Sequence, residues 1–309
     1  MLARALCLSL AIEVALYATV AHYVADATPG GSALAALTGV LLLRGLLLAV
    51  SYAYAWEHRS PAPRLSAIDT LRMVCGEYAA FVFSFLVLFP LERWTMASDR
   101  LDPPSGRRRL PVLLVHGYGC SRAAWWWLRR RIEAAGWNVA TISLEPVYTS
   151  IDDYIEPLAR RVDAVLAATG ADRLVLVGHS MGGLVARAYL QRHGSSRTAR
   201  LITLGTPHQG SELAYIGFGA NARQMEPGSA WLQALASPTT VLDTVVIYSP
   251  HDNFVMPQRR LLLPGARLQA IEGLGHLAML YSPRVATALL AALADDGSGS
   301  AAARPAASR

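Results

Sequence analysis

The 309-residue sequence contains no lysine, and charged residues make up only 16% of the chain. A soluble domain is typically about 25% charged, so this low content indicates that part of the chain lies in a membrane. All 28 basic residues are arginines, which together with the abundant alanine favours a GC-rich bacterial genome. The arginines are scattered and form no basic stripe interleaved with aromatic residues. The net charge of +6 therefore does not predict nucleic-acid binding.

Cysteine is also scarce. The three cysteines are Cys7, Cys75 and Cys120, and two of them lie in apolar segments. This number and spacing exclude a disulfide framework, and no CxxC pair offers a metal site. We therefore expect no structural metal.

Long apolar runs are present near the N-terminus, at residues 2–24 and 33–56. Each has about the 20 residues that a helix needs to cross a bilayer. A third run at about 73–91 is shorter and contains Glu77. A cleaved signal peptide is the alternative for the first run, and buried helices of a soluble protein are the alternative for all three. We favour a transmembrane region of two or three helices over residues 1–98, because no clean cleavage site follows the first run and the second comes soon after it.

Two charges interrupt the first two apolar runs. Glu13 and Arg44 are costly in hydrocarbon unless they pair or face a protein interior. A structural ion pair, or an arginine that extends to the membrane surface, is the favoured interpretation. A polar functional site inside the helices is the alternative.

The arginine distribution gives two conflicting topologies. Arg4 and the three arginines of connection 57–72 place the N-terminus and that connection in the cytoplasm, whereas connection 25–32 has no arginine. Three crossings would put the rest of the chain outside, but the arginines that follow the third run favour the cytoplasm. We expect a multi-pass protein of the bacterial inner membrane. The arginines do not decide whether the remainder of the chain lies on the cytoplasmic or the outer side of that membrane.

Residues 99–109 contain two prolines, a glycine and four arginines, which is typical of a linker. From residue 110 to 294, short apolar runs alternate with longer amphipathic stretches. This alternation predicts an α/β fold with a compact, mostly parallel sheet of about six strands and helices on both faces. The small, polar residues of 295–309 are expected to form a disordered tail.

The sequence VGHSMGG contains the pattern G-x-S-x-G between a predicted strand, which ends at Gly178, and a predicted helix. This is the setting of a nucleophile elbow, in which a strained turn exposes a serine at the carboxyl end of the sheet. Gly178 and Gly182 would leave room for the neighbouring strand and helix. Ser180 is therefore the candidate nucleophile, and an ordinary turn with a serine cap is the alternative.

A serine nucleophile needs a base to take its proton and an acid to orient that base. The histidines downstream of Ser180 are His193, His208, His251 and His276. His276 lies in a glycine-rich loop between the last strand and the last helix, where such a base belongs. Asp252 follows the penultimate strand, whereas Asp243 precedes it at the opposite end of the sheet. The chain order Ser180, Asp252, His276 matches the order of the triad in α/β hydrolases.

Attack on an ester produces an oxyanion that backbone N–H groups must stabilise. The residue after the nucleophile, Met181, should supply one donor. The loop HGYG after the first strand of this region should supply the other, from Tyr118.

The segments LLVHGYG, VGHSMGGLVAR, LITLGTPHQGS, YSPHDNFVMP and GLGHLAML together resemble the bacterial lipases and esterases of the α/β-hydrolase superfamily. The resemblance covers about 110–292 and implies ester hydrolysis through an acyl-serine intermediate, without a cofactor. The implied partners are a small ester or lipid substrate and membrane lipids. Two departures are the small size of the domain and the membrane-like first third, which disfavours a secreted, fat-digesting role.

Residues 207–240 follow the fourth predicted strand of this region and are rich in apolar side chains. They predict either an apolar cover over an acyl pocket or an ordinary loop packed on the core. Substrate-lining candidates are His116, His208, Tyr215 and Phe218.

The preferred hypothesis is a membrane-anchored serine hydrolase that acts on lipid-like carboxylic esters. A thioesterase or acyltransferase that uses the same triad is the second hypothesis. A non-catalytic membrane module for binding or scaffolding is the third, which the complete triad disfavours. The sequence predicts neither the acyl chain length nor the oligomeric state.

Overall fold

The structure, a computed structural model, describes residues 1–101, 109–236 and 242–295. Most of the predicted linker and, apart from Asp295, all of the predicted tail lie outside these ranges. The described part of the predicted cover ends at residue 236.

The N-terminal region consists of three helices, α1 (Leu2–Val24), α2 (Pro29–His58) and α3 (Ala67–Phe83). The last of these continues into a π-helical turn, Ser84–Leu88. All three are long and apolar enough to cross a membrane, and the third apolar stretch extends over Ala67–Leu88. Thr28 caps α2 and Ser66 caps α3, each by accepting a backbone N–H with its side chain.

A six-stranded parallel sheet forms the centre of the remaining chain. Its strands are β1 (Val112–Val115), β2 (Val139–Ile142), β3 (Leu174–His179), β4 (Thr198–Leu204), β5 (Thr244–Tyr248) and β6 (Arg267–Ala270). Their order across the sheet is β2-β1-β3-β4-β5-β6, and every neighbouring pair is parallel. The strands β1, β2 and β3 are buried along their whole length because helices cover both faces. The predicted α/β fold with six strands is confirmed.

Helices pack on both faces of this sheet. The remaining α-helices are α4 (Glu92–Thr95), α5 (Trp126–Ala134), α6 (Ile155–Thr169), α7 (Met181–His193), α8 (Gly219–Gln224), α9 (Ala230–Leu235) and α10 (Pro283–Ala294). One apolar cluster contains Leu128 of α5 and Leu289 of α10. The cluster on the other face contains Leu158 of α6 and Leu184 of α7.

The N-terminal region shares a core with the sheet domain. Ala80, Leu88, Phe89 and Met96 are buried in the same apolar cluster as α5 and α10. In contrast, most of the large apolar side chains of α1 face outward, including Leu8, Ile12 and Leu16. One side of the helical region therefore packs on protein, and the other presents a continuous apolar surface.

The charged residues of α1 and α2 pair with each other. Arg44 Nη1 contacts both carboxylate oxygens of Glu13, and both side chains are largely buried. The structural ion pair favoured from the sequence is thus the observed arrangement. Asp99, at the start of the predicted linker, is also fixed, since it forms ion pairs with Arg129 and Arg161 and accepts the N–H of Thr141.

Candidate active site

Ser180 lies at the turn between β3 and α7 and has a strained backbone. Its φ is +55° and its ψ is −129°, in a region that residues with a side chain rarely adopt. The turn is held by the Ser180 N–H, which donates to the Leu204 carbonyl at 2.8 Å. Thr206 Oγ1 donates to the Ser180 carbonyl at 2.9 Å. These bonds keep the serine side chain at the carboxyl end of the sheet.

The two elbow glycines are required by close approaches of backbone. A Cβ atom on Gly178 would lie 2.5 Å from Gly183 Cα, and one on Gly182 would overlap the Val115 carbonyl oxygen. Gly183 in turn lies against the side chain of Thr206. The local sequence thus lets α7 begin directly behind strands β1 and β3, with Ser180 at the apex.

Asp252 and His276 form a hydrogen-bonded, fully buried pair. His276 Nδ1 lies 2.8 Å from Asp252 Oδ2, and Asp252 Oδ1 accepts the N–H groups of Phe254 and Val255, each at 2.8 Å. Because an ionised carboxylate only accepts, Nδ1 carries the proton and Nε2 is left with a free lone pair. His276 is therefore in the tautomer that a general base needs.

The charge around His276 favours its protonated form. Burial lowers the pKa of His276, but the carboxylates of Asp252 and Glu77 more than offset this, so its pKa lies above the ordinary value. His179 lies 4.7 Å away, between ring centroids, and burial together with the charge of His276 holds the pKa of His179 well below its ordinary value. Of these two neighbouring rings, His276 is the one adapted to take up a proton.

The other candidate histidines have structural partners. His208 contacts Thr203 Oγ1 at 3.0 Å and Arg187, and burial holds its pKa well below the ordinary value. His251 Nδ1 accepts the Gly273 N–H at 3.1 Å, and its Nε2 lies 2.9 Å from the Pro63 carbonyl. His193 stacks on Tyr189 at the end of α7.

His116 accepts the Leu144 N–H with Nε2 at 2.9 Å, and burial lowers its pKa to about 4. Neither His116 nor His208 is part of the cavity wall at Ser180. Both rings are buried and contact protein groups, and their substrate-lining role stays a prediction.

The proposed oxyanion donors lie beside Ser180. Met181 is the first residue of α7, so its N–H has no acceptor within the helix. The HGYG loop lies directly against the serine, since a Cβ atom on Gly117 would be 2.8 Å from Ser180 Cβ and 3.3 Å from its Oγ. Tyr118, the next residue, lines the same cavity as Ser180.

Ser180 and His276 open into one cavity of about 380 Å³. One side of this cavity consists of apolar residues that follow β4, namely Leu213, Ala214, Ile216 and Phe218. Phe218, a predicted lining residue, is in this wall. Tyr215 does not line the cavity, and its side chain is exposed.

The phenol of Tyr118 links the described part of the predicted cover, residues 207–236, to the sheet domain. Its hydroxyl donates to the Phe218 carbonyl at 2.7 Å and accepts the Phe218 N–H at 2.8 Å. The predicted role of Tyr118 concerned its backbone only. The side-chain contact spans 100 residues of sequence and has no local signal.

The opposite side of the cavity belongs to the N-terminal helices. Leu47, Val50 and Ser51 of α2 and Phe81 of α3 line it, together with Phe85 of the following π-helical turn. Ser51 also accepts a hydrogen bond from Asn253 Nδ2 at 2.9 Å, next to Asp252 in sequence. Sequence reasoning did not assign Ser51, Glu77 or Asn253 to the site. For Glu77, the signal was a carboxylate inside an apolar run, which is costly without a partner.

Comparison with known proteins agrees with this geometry. Residues 111–256 match the family described as the alpha/beta hydrolase fold. A lipase of Bacillus licheniformis in its mature form superimposes with a TM-score of 0.56 at 19% identity, over 64% of this chain and 97% of that one. Lipase B of Aspergillus fumigatus gives a TM-score of 0.54 at 16% identity, over 63% of this chain and 56% of its own. These residues therefore have the α/β-hydrolase fold.

Within that class, the chain is similar in sequence to lipases. The triacylglycerol lipase of Pseudarthrobacter phenanthrenivorans is 34% identical over 148 residues, which are 45% of this chain and 45% of the relative. The triacylglycerol lipase of Burkholderia plantarii is also 34% identical over 148 residues, 45% of this chain and 40% of its own. The chain thus spans less than half the length of these curated relatives. Its match to the alpha/beta hydrolase fold lies in residues 111–256, and three N-terminal helices that are long and apolar enough to span a membrane precede that match.

Proposed function

We propose that this protein is a membrane-anchored serine hydrolase that cleaves carboxylic esters with lipid-like acyl chains through an acyl-serine intermediate. One observation carries the proposal: His276, joined to Asp252 at 2.8 Å, lines the same cavity as Ser180 at its strained turn. Asp252, His276 and Ser180 are thereby assigned as the catalytic triad.

In the first half of the reaction, Ser180 Oγ attacks the ester carbonyl carbon while His276 Nε2 takes the hydroxyl proton. Asp252 holds the ring through Nδ1 and stabilises the imidazolium that forms. The negative charge on the former carbonyl oxygen is stabilised by the N–H groups of Met181 and Tyr118, aided by the N-terminal end of α7. The carbon–oxygen ester bond then breaks, and His276 returns the proton to the departing alcohol.

In the second half, water replaces the alcohol. His276 removes a proton from the water as its oxygen attacks the acyl carbon, and the same two N–H groups stabilise the second oxyanion. Collapse of this intermediate releases the carboxylic acid, and the proton on His276 restores the Ser180 hydroxyl. Both halves use the same residues, and no cofactor is assigned to either.

The apolar walls of the cavity support a lipid-like acyl group as substrate. Leu47 and Val50 on one side and Ile216 and Phe218 on the other offer hydrocarbon contact, which favours burial of an acyl chain. The curated relatives are named triacylglycerol lipases, which is consistent with an ester that has long acyl chains.

The proposed location is the bacterial inner membrane, with residues 1–98 as a multi-pass anchor and 110–294 as the catalytic domain. The outward apolar side chains of α1 and α2 support this, since a surface of this extent needs an apolar surrounding. Membrane lipids would then surround the anchor helices and would also be the nearest source of substrate.

The test compares wild-type protein in detergent with Ser180→Ala. We expect the wild type to hydrolyse p-nitrophenyl esters and to bind a fluorophosphonate probe covalently, and we expect the variant to do neither. Esterase activity retained by Ser180→Ala would refute the mechanism. Esters of graded chain length, run in parallel with acyl-thioesters and with an added alcohol acceptor, separate ester hydrolysis from thioesterase and acyltransferase activity. The acids released from membrane lipid extracts then identify the natural substrate class.

A further inference from the structure

Glu77 of α3 contacts the loop that carries His276, although it belongs to an apolar helix. Its Oε1 accepts the N–H of Leu277 at 2.9 Å, and its Oε2 accepts the N–H of Ala278 at 2.8 Å. Both oxygens act as acceptors, which fits the ionised carboxylate. The side chain is fully buried, and these two hydrogen bonds offset part of the cost of its removal from water.

The loop is shaped to receive this carboxylate. A Cβ atom on Gly275 would lie 2.5 Å from Glu77 Oε2 and 2.6 Å from its Cδ. Only a residue without a side chain leaves room for the carboxylate at this position. The glycine-rich sequence before His276 is thus explained by a residue that lies about 200 positions earlier in the chain.

A second link runs from α2 to the same loop. Ser51 Oγ accepts a hydrogen bond from Asn253 Nδ2 at 2.9 Å, and Asn253 Oδ1 accepts the His276 N–H at 2.9 Å. The backbone of His276 is therefore fixed on one side through α2, and the two residues after it are fixed through α3. Within the sheet domain, Asp252 fixes the ring itself.

We propose that the N-terminal helices complete the catalytic centre, with Glu77 as a positioning residue that holds the His276 loop in its active geometry. The inference rests on the proposed function. Glu77 does not touch the substrate; it acts through the backbone of Leu277 and Ala278. Its removal is expected to impair catalysis because a displacement of about 1 Å in a reacting group can reduce the rate about 100-fold.

Glu77 also acts on His276 through its charge. The groups that face His276 are Asp252 from the loop after β5, Glu77 from α3 and His179 from the end of β3. Tyr52 of α2 interacts electrostatically with both carboxylates. Because the Glu77 carboxylate raises the pKa of His276, its replacement by an amide should lower that pKa. The base is active when neutral, so the acidic limb of the rate profile should move to lower pH.

The test compares Glu77→Gln with Glu13→Gln in the full-length protein in detergent. Glu13 is the matched control, since it is the other largely buried carboxylate of these helices and its partner is Arg44. With p-nitrophenyl butyrate as the probe, we expect kcat per folded protein to fall about 10- to 100-fold in Glu77→Gln, with KM within about twofold. We also expect the acidic limb of kcat to shift to lower pH. Glu13→Gln should keep the wild-type kcat and pH profile.

Two outcomes would overturn the inference: a kcat of Glu77→Gln that equals that of the wild type, or an equal fall in kcat in Glu77→Gln and Glu13→Gln, which would mean general loosening of the helices. A fall confined to Glu77→Gln without a shift of the acidic limb supports the positioning role and refutes only the effect of the Glu77 charge on His276. If Glu77→Gln does not fold, Ser51→Ala decides. A fall in kcat of about threefold supports the inference, and a wild-type kcat refutes it. Ser180→Ala separates the two proposals. Activity in that variant refutes the proposed function. An inactive Ser180→Ala together with a fully active Glu77→Gln refutes only the role of Glu77.

Discussion

The three N-terminal helices and the sheet domain use the same apolar residue types but expose them differently. The side chains of strand β1, Val112–Val115, are completely buried, whereas Leu8, Ile12 and Leu16 of α1 are 58–63% exposed. Polar residues show the reverse pattern. In the helices, Glu13, Arg44 and Glu77 point inward to protein partners, while in the sheet domain most charged groups lie at the surface.

This difference indicates how each region is stabilised. The sheet domain buries its apolar surface within itself, as a soluble domain does. The helices leave theirs outward, and all three are long and apolar enough to cross a membrane. The two regions nevertheless share one cavity and one catalytic loop, so they are not independent units. Four experiments separate their contributions.

The largest effect is expected from Asp252→Asn, which tests whether the chemistry resides in the sheet domain. The amide would hold His276 in the wrong tautomer, and kcat should fall about 10⁴-fold. Steady-state hydrolysis of p-nitrophenyl esters measures this. Asp243→Asn, at the opposite end of β5, is the control, since Asp243 pairs with Arg200 and Arg267 and should affect Tm but not kcat. Equal kcat in both variants would contradict the assignment.

The next effect is expected in the helices, from Arg44→Leu. The change leaves the largely buried Glu13 without its partner, which should cost about 3 kcal/mol of stability. Thermal unfolding in detergent should show a lower Tm, with kcat per folded protein unchanged. The double variant Glu13→Leu/Arg44→Leu should recover most of the loss. If the double variant is no more stable than the single one, the pair is not what stabilises α1 against α2.

A smaller effect is expected from a pair of glycine substitutions, one in each region. Gly178→Ala places a methyl group 2.5 Å from Gly183 Cα and should destabilise the protein by about 2 kcal/mol through overpacking. Gly76→Ala in α3 meets no atom within 4 Å and should be neutral or slightly stabilising, because alanine favours the helix. Chemical denaturation compares the two. A similar loss in both variants would contradict this account of the elbow.

The smallest effect is expected from Tyr118→Phe, which releases the cover over the cavity. The variant loses two hydrogen bonds to the backbone of Phe218, which should cost about 1 kcal/mol. We expect KM for long-chain esters to rise about fivefold, with little change for acetate esters. Tyr215→Phe is the control, since the Tyr215 side chain points to solvent. An equal rise for short and long chains would argue against a role in holding the acyl pocket.

The sheet and the Asp252–His276 pair were predictable because their signals are local. Strand β3 is a continuous apolar run that ends in a glycine, and the elbow follows within two residues. Asp252 and His276 each follow a strand, so chain order alone assigned them to one edge of the sheet. The first three helices were predictable for the same reason, since length and hydropathy define them.

The contacts between regions were not predictable because no local pattern encodes them. The Glu77–Leu277 contact joins residues 200 positions apart, and the Tyr118–Phe218 contact spans 100. His208 is a further example. It follows a strand near the site, as a substrate-lining residue would, and its ring contacts the side chains of Thr203 and Arg187. The partner of a polar residue depends on packing, which the single sequence does not show.

The separation of Glu77 from Leu277 and Ala278 also has a consequence for biosynthesis. The ribosome adds about 5 to 20 residues per second, so the carboxylate is made roughly 10 to 40 s before the two N–H groups that it binds. During that interval, α3 carries a carboxylate whose final partners do not yet exist. The His276 loop gains its support only after the last strand has left the ribosome and docked on helices made first. Under the proposed function and the proposed role of Glu77, a chain that fails to assemble its helices with its sheet would cleave esters only weakly.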